Sequence, residues 1–280
     1  MLFMTKKLTL LLLGVLITAC AYSQSLRNHI FFKDDWSSIM GRPKTMKTVS
    51  VSYRTNGEVG NKVELMQFDE RSLPVYKSSL NDNGTVSKIE YFKYDTLKRL
   101  LLERYILDKN TDKPTRRVLF YYTYQDGKYP VKYQELNRDS VVVSETHTTM
   151  NAMGLPEESF LFEPVGVFVG SEKAIYFLDQ NKVALSVLDN EGSITFTDTA
   201  FFSLSPNVRV NSPNLRYNER GDLIWSQRQA KSGTVLNEYD YIYDEKNNFI
   251  KKSMFKVTTK PNGKKRRELT QVVERTITYW

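Results

Sequence analysis

The chain has 280 residues, 40% of them hydrophobic, with 40 Lys and Arg against 32 Asp and Glu. That excludes a disordered tail and supplies one large domain or two small ones. Two histidines and one cysteine leave no material for a Cys/His zinc site or a redox pair. The 17 Tyr and 15 Phe, with abundant Thr and Val, are strand formers, so the composition points to an all-β chain.

Residues 1–23 read as a signal peptide. Lys6 and Lys7 precede an apolar run from Leu8 to Ile17, about ten residues, too short to cross a bilayer as a helix. Two cleavage sites fit. Ile17-Thr18-Ala19-Cys20 resembles a lipobox, which would make Cys20 the acylated first residue of an outer-membrane lipoprotein. Ala21-Tyr22-Ser23 places small residues at −3 and −1, which would leave Gln24 first and the protein periplasmic or secreted. The lone cysteine at the lipobox position favours acylation; the other reading discards it with the signal. Either way the protein is exported. Removing Lys6 and Lys7 lowers the formal charge from +8 to +6, too mild to imply a nucleic-acid partner.

Residues 24–47 carry Asp34-Asp35-Trp36 and Met40-Gly41-Arg42-Pro43 without a repeat, and read as a spacer or cap. From 48 onward a dyad recurs, a large apolar residue followed by Asp, Asn or Gln. It occurs at Phe68-Asp69, Tyr94-Asp95, Tyr124-Gln125, Met150-Asn151, Leu178-Asp179, Tyr217-Asn218 and Tyr243-Asp244, with spacings of 26, 30, 26, 28, 39 and 26. Such a period marks an array of supersecondary units. Pro74, Pro130 and Pro156 each stand five residues after the polar member; Gly154, Gly221 and Asn247 stand three after it.

Each unit reads as strand, tight turn, strand. The Asp or Asn accepts a backbone N–H in the turn, the Gly or Asn supplies the left-handed conformation, and proline opens the returning strand. Period-two alternation puts Phe92 and Tyr94, Phe120, Tyr122 and Tyr124, Tyr239, Tyr241 and Tyr243, and Met66 with Phe68 on the dyad's face, where neighbouring hairpins would align the aromatics as ladders. This predicts roughly fourteen or more antiparallel strands, as hairpin repeats over 48–162 and 214–280. Residues 163–213 read as an irregular or degenerate repeat, with hairpin strands around Asp179 and a further strand over 193–202.

These units resemble the YD repeats of RHS-type proteins, in particular short envelope forms of diderm bacteria that carry no toxin. Tyr239-Asp240-Tyr241-Ile242-Tyr243-Asp244, Asn247-Asn248-Phe249 and Glu274-Arg275-Thr276-Ile277-Thr278-Tyr279 are similar to the closing unit of that group. The resemblance spans roughly 60–160 and 215–280 and implies a long antiparallel sheet that twists or curls. Only Tyr94-Asp95 and Tyr243-Asp244 among the dyads are Tyr-Asp.

No phosphate loop, nucleophile elbow or His-Glu-x-x-His is present. Asn81-Asp82-Asn83-Gly84 and Asp189-Asn190-Glu191-Gly192 lack the ligand spacing of calcium loops and read as hairpin turns. His147 reads as a partly exposed strand residue. Lys260, Lys264, Lys265, Arg266 and Arg267 surround an Asn262-Gly263 turn and form a basic hairpin tip that would contact an anionic surface. The sequence therefore predicts an exported, non-catalytic scaffold without cofactor or metal, which binds a protein or glycan or serves as a spacer. A polysaccharide-acting enzyme and an outer-membrane β-barrel are the alternatives, the barrel weakened by charge on both faces of the strand carrying Lys88, Glu90 and Lys93.

Overall fold

A computed structural model describes residues 26, 39–54, 57, 59–81, 83–97, 100–107, 114–122, 129–204, 213–230, 233–259 and 264–280. Seventeen strands are found among them. They are β1 (Pro43–Tyr53), β2 (Val59–Phe68), β3 (Pro74–Leu80), β4 (Val86–Tyr94), β5 (Leu101–Leu107), β6 (Arg116–Tyr122), β7 (Pro130–Asn137), β8 (Val142–Met150), β9 (Pro156–Glu163), β10 (Val167–Phe177), β11 (Lys182–Asp189), β12 (Ile194–Phe201), β13 (Leu215–Tyr217), β14 (Leu223–Ala230), β15 (Gly233–Tyr243), β16 (Phe249–Thr259) and β17 (Lys265–Tyr279). The all-β expectation holds, and every ladder described below is antiparallel. No helix among the described residues is long and apolar enough to cross a membrane.

The chain divides into two compact units, one formed by Met1–Lys33 and Val118–Leu204, the other by Asp34–Arg117 and Ser205–Trp280. These boundaries differ from the segmentation read in the sequence. In the second unit the ladder runs β13-β14-β15-β16-β17-β1-β2-β3-β4-β5. The first strand thus lies between the last strand and its own hairpin partner, with Val49 opposite both Glu274 and Val63. β1 begins at Pro43, so the end of the stretch read as a spacer is strand. The local pattern explains the difference: Thr45, Lys47 and Val49 alternate with Met46, Thr48 and Ser50, and Met46 is buried.

In the other unit the ladder runs β7-β8-β9-β10-β11-β12. Residues 167–201 form three strands, in line with the hairpin expected around Asp179 and the further strand expected over 193–202. Among the described residues this stretch also holds two 3-10 turns, Pro164–Gly166 and Leu178–Gln180, and register shifts between Phe168 and Gly170 and between Val187 and Leu188. The core of this unit is Leu26, Leu155, Ala174, Val183, Leu185 and Phe202, with Tyr129, Tyr176, Leu178 and Ala200 packed against it. Gly170 is required where β10 crosses β11, because a Cβ there would lie 2.4 Å from the Leu188 carbonyl oxygen.

Candidate functional site

The recurring feature of the structure is one turn, found seven times among the described residues. At Asp69, Asn81, Asn137, Asn151, Asp189, Asn218 and Asp244 the residue's carbonyl accepts the N–H three residues on, and its own N–H donates to the carbonyl four residues on. The residue three places on has positive φ in every case: Ser72, Gly84, Ser140, Gly154, Gly192, Gly221 and Asn247. The strand register shifts immediately before each turn, as between Gln67 and Phe68, Thr149 and Met150, or Ile242 and Tyr243. This is a tight turn closed by a left-handed residue and a bulge.

The side chain of the opening residue finishes the turn. Asp244 Oδ1 accepts from the backbone N–H of Lys246 at 2.9 Å and Asn248 at 2.8 Å. Asp69, Asn137, Asn151 and Asp189 do the same with the residues two and four places on. Asn218 Oδ1 accepts from Asp222 at 2.9 Å. Pro74 and Pro156 are fully buried and start the returning strands β3 and β9; Pro130 starts β7.

Two dyads depart from this form. After Tyr94, Asp95 Oδ1 accepts from Leu100, one residue further along. Leu178-Asp179 is not such a turn: it lies in a 3-10 turn closed by Asn181 at φ +50. The residue three places after each is Lys98 or Lys182, neither of which tolerates positive φ as Gly or Asn does. Tyr124 and Gln125 lie outside the described residues, as do Cys20 and Lys260. Conversely, Leu80-Asn81, Leu136-Asn137 and Leu188-Asp189 are turns of the same form that the dyad reading omitted. The hairpin turns expected at Asn81 and Asp189 are thus present, and the one that was missed is at Asn137, where Ser140 rather than Gly holds the third place.

In the second unit consecutive turns are bonded to one another. Tyr243 donates its hydroxyl to Asp222 Oδ2 at 2.6 Å and accepts from Asn218 Nδ2 at 2.7 Å. One hairpin later, Tyr279 donates to Asp244 Oδ2 and accepts from Asn248 Nδ2 at 2.7 Å. The basic residue at the tip reaches forward as well. Arg220 lies 4.3 Å from the Tyr243 ring centre, Lys246 4.5 Å from that of Tyr279, and Arg71 donates to the carbonyls of Asp95 and Thr96. Asn248 binds both the N–H and the carbonyl of Met40, tying β1's leading residues to the same row.

These contacts account for the titration behaviour. Burial is the largest cause raising Tyr243 and Tyr279, each to about 12, and the carboxylates they bond reinforce it. For Asp244 burial acts upward, but hydrogen bonds from Tyr279, Asn248 and Lys246 outweigh it and hold the carboxyl below its ordinary value.

Aromatic pairing is only partly where alternation placed it. Tyr239, Tyr241 and Tyr243 share a face, and Tyr241 and Tyr243 stack at 5.9 Å. Between β3 and β5, however, the ladder is Tyr76–Tyr91–Tyr105, with centres 5.3 and 5.2 Å apart, on the face opposite Phe92. Within the basic tip, Arg267 is engaged by the sheet: it pairs with Glu238 at 2.9 Å and Asp240 at 3.0 Å and lies over Phe255. Lys264, Lys265 and Arg266 are exposed.

The first unit carries a mixed polar and aromatic patch that the sequence reading missed. Gln134 accepts from Tyr121 at 2.6 Å and donates to Glu145 at 2.6 Å; Lys132 pairs with Glu145 at 2.9 Å, and His147 bonds the same carboxylate. The rings continue it: His147–Phe162 at 5.5 Å and Phe162–Phe168 at 5.7 Å. Tyr121 is 41% exposed. Burial acts upward on Glu145, but Lys132, Gln134 and His147 together bring its pKa down to about 2. Its residues come from β6, β7, β8, β9 and β10, so no local motif announces it. Among the described residues no group of three or more His, Cys, Asp or Glu is placed to hold a metal ion.

No family model matches the chain, and no curated protein does. Among solved structures it is similar to a porin-like protein from Bacteroides uniformis, with 10% identity and a TM-score of 0.46, covering 86% of this chain and 98% of that one. It is also similar to part of TcdB2-TccC3 in a structure named with Cdc42, at 10% identity and a TM-score of 0.37, covering 79% of this chain and 14% of that one. The TcdB2-TccC3 structure without its hypervariable C-terminal region gives 10% identity, a TM-score of 0.36, and coverage of 82% and 14%.

Proposed function

We propose that this protein is an exported, non-catalytic scaffold of the cell envelope, built from YD-type hairpin repeats, which presents its sheet to a protein or glycan partner. The observation that carries the reading is the use made of its carboxylates. Those of Asp69, Asp189 and Asp244 accept backbone N–H groups inside turns, and Glu64, Glu90, Glu103, Glu145, Glu158 and Glu238 pair with neighbouring cations. Carboxylates held this way organise a sheet, whereas glycoside hydrolysis needs a pair facing one open site. The signal-type leader supports export, with Cys20 as the lipid attachment. The patch around Gln134, Glu145, His147 and Phe162 and the exposed Lys264, Lys265 and Arg266 are the contact surfaces this reading favours.

The test is labelled-palmitate incorporation in wild type and Cys20→Ser, together with incubation of the mature protein with a panel of envelope glycans. Label lost in Cys20→Ser and glycans recovered at unchanged length are expected. Label that persists in the variant contradicts the anchor, and shortened glycans contradict the non-catalytic reading.

A further inference from the structure

Leu26 is wholly buried in the core of its unit, among Leu155, Ala174, Val183, Leu185 and Phe202. Its backbone N–H donates to the carboxylate of Glu172 on β10. Burial raises the Glu172 carboxyl and the bond from Leu26 opposes that rise, so the contact is a specific polar clasp beside an apolar socket. Leu26 stands two residues after Gln24 and six after Cys20, the two candidate first residues of the mature chain. The leading end of the exported protein is therefore fastened almost at its first residue.

We propose that Leu26 is a peg that locks the mature N-terminus into this unit, so that a lipid anchor at Cys20 holds the unit directly against the membrane surface. The peg stands on the geometry; the membrane half rests on the lipoprotein reading above. Six residues reach at most about 20 Å even when fully extended, less than the width of a small domain. The unit built on β7–β12 is then held beside the membrane, and the partner surface is the lipid headgroup layer at its socket end.

The experiment uses the full mature lipoprotein in vesicles of phosphatidylethanolamine and phosphatidylglycerol. Glu157→Cys, exposed and two residues from Leu155, carries a fluorescent donor, and a headgroup-labelled lipid is the acceptor. Efficient energy transfer is expected. A Gly/Ser insertion of about twenty residues after Ser23, which adds about 25 Å of root-mean-square reach and leaves the core untouched, should lower transfer roughly twofold. Leu26→Asp should lower it in the same way and open the leading segment to protease, with circular dichroism confirming that the strands persist. A vesicle-bound, acylated wild type with no transfer overturns the proposal, as does transfer unchanged by the insertion or a Leu26→Asp chain as protease-resistant as wild type. A wild type that incorporates no palmitate and ignores vesicles contradicts the lipoprotein reading itself, and the membrane half falls with it; the protease comparison on that released chain then decides the peg alone.

Discussion

The hydroxyl of Tyr279 donates to the carboxylate of Asp244, 35 residues earlier, and that carboxylate is the one that closes the preceding turn. Tyr243 holds the turn before it with the two roles exchanged: it accepts from Asn218, whose side-chain oxygen closes that turn, and donates to Asp222, 21 residues earlier. A tyrosine late in one hairpin thus secures the turn of the hairpin before it.

Tyr279→Phe keeps the ring under Lys246 and removes only the hydroxyl. A hydrogen bond to a charged acceptor is worth about 1.5–3 kcal/mol, so a loss near the lower figure is expected at this half-buried site. Asp244→Ala removes four hydrogen bonds at once and should cost more than Tyr279→Phe, about 2–3 kcal/mol. Urea melts of both single variants and the double variant measure this. The double variant should be less destabilised than the sum of the singles, because the shared bond is lost only once.

Glycine and serine at the third place of the turn make opposite predictions. Gly154 has φ +72 and open space around it, so Gly154→Ala meets only the left-handed penalty, about 1 kcal/mol. Ser140 holds φ +61 without the freedom of glycine, and Ser140→Gly should raise stability by a few tenths to about 1 kcal/mol. Paired thermal melts of these two variants should move in opposite directions.

Gly170→Ala differs from both. Its backbone is ordinary, but the added methyl meets the Leu188 carbonyl, a ladder atom that cannot yield as a side-chain end would. Overpacking of this kind costs about 1–3 kcal/mol, and hydrogen exchange should quicken along β10 and β11 specifically.

Acid should loosen the fold through particular carboxylates. Glu145 has a folded pKa near 2 against an ordinary 4.5, so it stabilises the folded chain above the unfolded value. That contribution is lost as pH falls from about 4.5 towards 2. Asp244 acts in the same direction. Glu172 acts in the opposite one: its raised value means that ionisation costs stability as pH rises through the carboxylate range, and protonation restores it. Denaturant melts as a function of pH should show a shallower acid limb for Glu145→Gln than for wild type. At neutral pH Glu172→Gln, whose amide oxygen still accepts from Leu26, should be at least as stable as wild type.

How much of this was legible depends on whether the determining residues are close in sequence. The Asp244 turn needs only residues 243–248, and its pattern of aromatic, Asp and a left-handed residue three places on could be read directly. The third place alone separates Asn81 and Asp189, followed there by Gly84 and Gly192, from Asp179, followed by Lys182. Face assignment was less secure, because the bulge before each turn breaks period-two counting and the ladder through Tyr91 runs on the face opposite Phe92. The commitment of Arg267 to Glu238 and Asp240 depends on the register of β15, β16 and β17, which composition does not encode. The Leu26–Glu172 clasp spans 146 residues and leaves no local trace.

The scaffold reading is tested most directly by immobilising the mature protein, passing an envelope extract over it, and measuring the mass of what is retained before and after prolonged incubation. The account predicts a retained envelope component, released from the column at its original mass and retained more weakly by Glu145→Ala or Phe162→Ala in the surface patch. A component released at lower mass, or no specific retention at all, would contradict it.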